Sequence, residues 1–160
     1  TSKNLKNGFI DFSDVNLISE EDYMQINKRS AVDHGDIVMP MIGTIGNPVL
    51  VETHDKFAIK NVALIKFKDA LINNNYVLHL LKSHYFEWII KTINRGGTQQ
   101  FIALTDIRNF PIPVPSKAAM YEFEQHIKKF KSLESKHDLM EFDSSKLFNS
   151  LTQRAFRGEL

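Results

Sequence analysis

The sequence contains no cysteine, which rules out a disulfide framework and any thiolate metal site. That suits a cytosolic protein, and a cytoplasmic location is the expectation. It has no apolar run approaching the roughly 18 residues that would cross a bilayer, so no membrane contact is expected. The polar start, Thr1 to Lys6, leads into no apolar stretch of the kind a secretory signal carries. A charge of one sign is missing as well: 20 basic and 19 acidic side chains leave a net +1 at pH 7. A strongly basic chain would advertise phosphate binding. Here residues 1–81 carry 8 basic and 10 acidic side chains, residues 82–115 carry 4 and 2, and residues 116–160 carry 8 and 7. Any phosphate-binding surface must therefore be a local patch.

What is present is an ordinary globular composition, 42% hydrophobic and 24% charged, in a chain of 160 residues, long enough for one domain with its own core plus an appended element. Ser19 to Arg29 reads as a short helix: Ser19 can cap it, Glu20, Glu21 and Asp22 fill the first turn, and Lys28 and Arg29 close the last, complementing the dipole. Asp36-Ile37-Val38-Met39-Pro40-Met41-Ile42 reads as a strand stopped by the turn Gly43-Thr44-Ile45-Gly46-Asn47-Pro48. Val49 to Val51 and Val62 to Phe67 are further strand candidates. From about Asn74 to Asn94 the apolar spacing Leu78, Leu81, Tyr85, Trp88 or Ile89, and Ile93 predicts one helix, capped by Asn73 or Asn74 and ended by Arg95-Gly96-Gly97. Thr105 to Asn109 can form a single turn. Phe110-Pro111-Ile112-Pro113-Val114-Pro115 must be extended, as an edge or a stiff strap, because proline at alternate positions excludes helix.

From Ser116 the character changes. No proline follows, and no glycine occurs before Gly158. A helix from Ser116 to about Arg154 would be roughly 58 Å long, too long to lie on a domain of residues 1–115. Its apolar positions are Phe123, Ile127, Phe130, Leu133, Met140, Leu147 and Leu151, and the steps between them pass through His137 and Ser144. This is a coiled-coil stripe with polar interruptions, and a lone helix of this kind needs a partner. The expected fold class is therefore α+β: a mixed globular domain over 1–115, then a long helix over 116–160 for coiled-coil pairing.

Enzymatic signatures are sparse. There is no G-x-x-x-x-G-K-[ST] phosphate loop. Gly43-x-x-Gly46 has too few glycines for a dinucleotide fingerprint. No Asn-Pro-Pro-aromatic stretch of the amino-methyltransferase kind occurs; Asn47-Pro48-Val49-Leu50 reads as a turn. His79 and His84 lie five apart on the predicted helix and do not converge on a metal. His34 and His54 stand isolated beside turns, and His126 and His137 fall on the long helix. Asp36 with Glu52 or Asp55 and Lys56 would make only a loose nuclease-like set. No catalytic residue, metal or cofactor is assigned.

The loop Asn94-Arg95-Gly96-Gly97-Thr98-Gln99-Gln100 says more. Arginine and glutamine read guanine and adenine edges bidentately, and the two glycines let backbone approach a phosphate. The competing reading is a helix C-cap followed by a solvated loop. Arg95, Gly97, Thr98, Gln99 and Gln100 are accordingly the candidate DNA contacts, with Lys60, beside Lys56 and Asn61, and Thr44 behind them.

The run Asn7-Gly8-Phe9-Ile10-Asp11-Phe12-Ser13-Asp14, then Ile18-Ser19-Glu20-Glu21-Asp22-Tyr23, resembles the opening of a target-recognition domain in the specificity subunits of type I restriction–modification enzymes. Gly35-Asp36-Ile37-Val38 with Ile42-Gly43-Thr44-Ile45-Gly46 is similar to that family's strand and turn. Gly96 to Gln100, the proline strap, and the ending Leu147-Phe148-Asn149-Ser150-Leu151-Thr152-Gln153-Arg154-Ala155-Phe156-Arg157-Gly158-Glu159-Leu160 resemble its later landmarks, in the family's order. The resemblance implies a non-catalytic subunit that reads half of a bipartite target in double-stranded DNA. It implies docking to adenine methyltransferase subunits and to translocating nuclease subunits, in which the chemistry resides. A complete subunit has two recognition domains and two antiparallel spacer helices. One of each here implies a half-subunit or a truncated one, clipped before Asn7, and the stripe from Phe123 to Leu151 leads to the expectation of a homodimer through the helix. The alternatives are a dimerising scaffold remnant without specific DNA binding, and a nuclease or modification enzyme in its own right.

Overall fold

The chain opens on a 3-10 turn, Ser2–Asn4, and a hairpin of β1 (Leu5–Lys6) and β2 (Phe9–Ile10), with Leu5 opposite Ile10 and Lys6 opposite Phe9. Asn7 at φ 50° and Gly8 at φ 86° both occupy the left-handed region. Two such residues make the two-residue turn whose twist matches that of the flanking strands, and Asn-Gly is the pair that adopts it with least strain. This hairpin is absent from the strands expected above. The computed structural model describes residues 1–42, 47–67, 72–93 and 101–157, which divide into two compact units, Thr1–Val114 and Pro115–Leu160.

In the first unit, α1 (Glu20–Ser30) starts as its sequence predicts: the Ser19 hydroxyl accepts from the Asp22 amide at 3.1 Å. Three strands then form an antiparallel sheet, β3 (Ile37–Pro40) flanked by β4 (Val49–Leu50) and β5 (Val62–Ile65). The period-two alternation of side chains divides this sheet's residues between two clusters. Ile37, Met39, Ala63 and Leu50 face one cluster, while Val38, Val49, Val62 and Leu64 join Leu5, Val51, Ile10, Phe57 and Ile59 in the other. Both faces of β3 are therefore buried, which explains its unbroken apolar sequence. Just before it, Gly35 stands at φ +88°, and a Cβ there would lie 3.2 Å from the Asn74 amide nitrogen. That amide donates to the Gly35 carbonyl at 2.9 Å, so this position is closed to other side chains twice over.

The helix expected over Asn74 to Asn94 is two helices, α2 (Asn74–Leu81) and α3 (His84–Ile93). At the break the Ser83 hydroxyl donates to the Leu80 carbonyl at 2.6 Å, competing with the helical ladder. The Lys82 and Ser83 amides tighten onto His79 and Leu80. The interruption shifts the buried face: Leu78 and Leu81 are followed by Phe86 and Ile90, not by Tyr85 and Trp88, and Trp88 is 61% exposed. These four side chains pack with Ile37, Met39 and Ile102.

A short α4 (Leu104–Arg108) follows, its Asp106 carboxylate accepting from the Ala103 amide at 3.0 Å. The segment Phe110–Pro115 has no regular structure. The Tyr85 hydroxyl donates to Pro111 O at 3.2 Å and that of Tyr76 to Pro113 O at 2.9 Å. The Phe110 ring meets Phe86 edge-on at 5.3 Å. Proline has no N–H to donate to a ladder, and the two tyrosine hydroxyls satisfy proline carbonyls at alternate residues.

The second unit is α5 (Lys117–Phe156), 40 residues long, with the Ser116 hydroxyl accepting from the Ala119 amide at its start. Phe130, Leu133, Met140, Leu147 and Leu151 of its apolar stripe are exposed, and Phe123 and Ile127 are half-buried. The fold class is α+β with a long terminal helix, as expected. Among the described residues no helix is long and apolar enough to cross a membrane.

Candidate nucleic-acid interface

The two ends of the β4-β3-β5 sheet differ in chemistry. At the start of β3, Asp36 is a buried carboxylate, its side chain 4% exposed. It accepts from the Asp33 amide at 2.8 Å and from the Lys66 ammonium at 2.6 Å. Lys66 also meets Asp33 at 2.8 Å and the Ala31 carbonyl at 2.8 Å. Burial works to lower the affinity of this ammonium for its proton, but the hydrogen bonds of Asp33 and Asp36 outweigh it and raise the pKa above its ordinary value. Asp36 is thereby committed to fixing the turn into β3, and does not combine with Lys56 in a nuclease-like set.

The opposite end is where the sequence candidates lead. Beyond β3 the chain passes through Met41 to Ile42, and the described residues resume at Asn47. Ile42 forms an isolated bridge with Phe101, and the Ile102 amide donates to the Met41 carbonyl at 2.8 Å. Val62 stands opposite Pro40, so the two residues before it, Asn61 and Lys60, lie at this same end. Asn61 has φ 60°, in the left-handed region, a conformation asparagine tolerates better than most residues because its short amide can bond locally. The Asn47 amide donates to the Leu5 carbonyl at 3.4 Å, which attaches the base of the β1–β2 hairpin here too.

Of the candidate contacts, Lys60 is described and exposed. It also lines an apolar-walled cavity of about 680 Å³ bounded by the hairpin, α1 and the 55–60 segment, with Phe12, Tyr23 and Phe57 among its walls. Thr44, Arg95, Gly97, Thr98, Gln99 and Gln100 lie outside the described residues. The residues that bound their two segments are brought together: Ile42 precedes the first and Phe101 follows the second. Ile42 and Phe101 are 55% and 54% exposed, an apolar pair flanking the polar candidates that sequence reasoning passed over. Only their pairing across the bridge makes them a feature, and no local pattern signals it.

The hairpin carries its own charge pairs. Lys6 meets Asp11 at 2.7 Å and Lys3 meets Asp14 at 2.8 Å. The Lys6 ammonium, helped by Ser13, holds the Asp11 carboxyl well below the usual carboxylate range.

Among the described residues no three His, Asp or Glu side chains are grouped to hold an ion. His34 and His54, expected to be isolated, stack on each other with centroids 4.6 Å apart and planes 12° apart. Stacked imidazoles direct their in-plane lone pairs past one another, not onto a shared ion. His79 and His84 belong to separate helices.

No curated protein matches the chain. The model of the type I restriction modification DNA specificity domain matches residues 1–147. The chain belongs to that family.

Proposed function

We propose that Thr1–Val114 is a target-recognition domain reading one half of a bipartite site in double-stranded DNA, and that α5 is the spacer helix. In this reading the chain has no catalytic role. It docks an adenine methyltransferase subunit and a translocating nuclease subunit, works in the cytoplasm, and pairs through the Phe123 to Leu151 stripe with a second copy. One observation supports it above the rest. Ile42, Asn47, Lys60 and Phe101, which bound or belong to the segments chosen for base and phosphate contact, meet at one end of one sheet. Base readout is assigned to Arg95, Gln99 and Gln100, with Thr98, Gly97, Thr44 and Lys60 against the backbone.

The test is co-expression with the cognate methyltransferase subunit and genome-wide mapping of methylated adenines. A split motif with two identical, inversely repeated halves is expected from a homodimer. Two unlike halves would mean pairing with a different specificity chain. A soluble complex without methylation would support the scaffold reading instead.

A further inference from the structure

The tip of the β1–β2 hairpin lies beside a lysine that the reading above leaves unused. The Lys82 ammonium, at the C-terminal end of α2, is 3.8 Å from where a Cβ on Gly8 would stand. Unlike Lys3, Lys6 and Lys66, which are each paired with aspartate, Lys82 has no carboxylate partner among the described residues, and it is exposed. The charges on the hairpin cancel in pairs, so Lys82 supplies the uncompensated cation at its tip. The Asn7 and Gly8 amides have no acceptor among the described residues, as expected at the two central positions of such a turn. Gly8 has no side chain to cover them. Leu5, three residues away, accepts from Asn47, so this corner adjoins the sheet end that carries Ile42 and Lys60.

We propose that Lys82 and the Asn7–Gly8 turn form a phosphate-binding corner that grips the DNA backbone next to the sheet end carrying Ile42 and Lys60. An ammonium and adjacent unpaired amides suit a phosphodiester, which spreads its charge over two oxygens and takes both kinds of donor. The corner fixes how the domain sits on the duplex and carries no sequence information. This inference rests on the DNA-reading proposal above.

The experiment is fluorescence-anisotropy titration of short duplexes of several sequences by the full chain over a range of salt concentrations. Lys82→Gln is expected to weaken binding to every duplex alike and to reduce the slope of log K against log salt by about 0.9, the value for one lost phosphate contact. Lys82→Arg should restore both. Lys28→Gln, on α1, removes the same charge elsewhere and should change neither. Lys82 is exposed, so circular dichroism should show all three variants folded. An unchanged slope for Lys82→Gln, with the unsubstituted chain binding normally, overturns the corner and leaves the DNA reading standing. A loss confined to some sequences would make Lys82 a base contact and overturn the backbone assignment. If the folded, unsubstituted chain binds no duplex at all, the DNA reading fails and takes this inference with it.

Discussion

The Ile102 amide donates to the Met41 carbonyl at 2.8 Å, one residue beyond the Ile42–Phe101 bridge that joins the chain after one candidate DNA segment to the chain before another. The side chain of Ile102 is 2% exposed and packs with Ile37, Met39 and Phe86. Its neighbour Phe101 is 54% exposed on the bridge to Ile42. Adjacent residues thus have opposite duties, and substitutions should separate them. Ile102→Ala should cost about 2–5 kcal/mol, the range for emptying a buried aliphatic site, measured as a fall in urea midpoint at constant slope. Phe101→Ala should cost less than about 1 kcal/mol and yet weaken duplex binding, if this sheet end meets DNA.

The Asp36–Lys66 pair should reveal itself by asymmetry. Lys66→Met leaves Asp36 buried without its cation, and a destabilisation of about 2–3 kcal/mol is expected, moderated by the partial exposure of Lys66. Adding Asp36→Asn should return part of that loss, because the uncompensated charge is gone while an oxygen remains for the Asp33 amide. The pH dependence has a definite sign. The pKa of Lys66 is raised above its ordinary 10.5 by folding, so its contribution is complete below that value and is lost as pH rises through the higher folded pKa. As pH rises, denaturation curves of the parent and Lys66→Met should therefore stay apart until the strongly alkaline range. Convergence near neutral pH would show that the pair contributes nothing.

Much of this was legible in the sequence where one element's own residues decide the matter. Ser19 and three following acids define the start of α1, and the absence of proline and glycine after Ser116 defines α5. The break at Lys82-Ser83 was not legible, because no glycine or proline marks it. A serine hydroxyl bonding a carbonyl three residues back is decided by packing, and the resulting shift buried Phe86 and Ile90 in place of Tyr85 and Trp88. The hairpin was legible in principle through Asn7-Gly8, yet strands of two residues are too short to show alternation. At the candidate site, residue types pointed to segments, but the Ile42–Phe101 bridge between residues 59 apart in sequence has no local signature.

The proline strap offers a test of what anchors it. Phe110 packs on Phe86, which is 2% exposed, whereas the Tyr76 and Tyr85 hydroxyls bond carbonyls at exposed positions. Tyr76→Phe and Tyr85→Phe should each cost only about 0.5–1 kcal/mol, because water can replace the lost donor. Phe86→Ala should cost about 3–5 kcal/mol. The double tyrosine variant should leave the thermal transition cooperative but make the bonds around Pro111 and Pro113 more accessible to proteolysis. Unaltered cleavage would show that the Phe110 contact alone holds the strap.

The exposed stripe of α5 makes a prediction about association that depends on its polar positions. Phe130, Leu133, Met140 and Leu147 are all more than half exposed, and a 40-residue helix with such a face gains most from a partner helix. His137 and Ser144 continue the same seven-residue spacing from Phe130 to Leu151. Polar residues at such positions weaken a coiled coil while fixing its register and number of strands. Leu147→Glu should abolish self-association in sedimentation equilibrium while leaving the unfolding of the first unit unchanged. Ser144→Leu should tighten association and broaden it beyond dimers, because the lost polar position is one that selects among pairings. If Ser144→Leu tightened association with dimers unchanged, Ser144 would be a tolerated interruption and register would be set elsewhere along the helix. If the parent chain stayed monomeric at high concentration, with Leu147→Glu without effect, the stripe would instead serve a different chain.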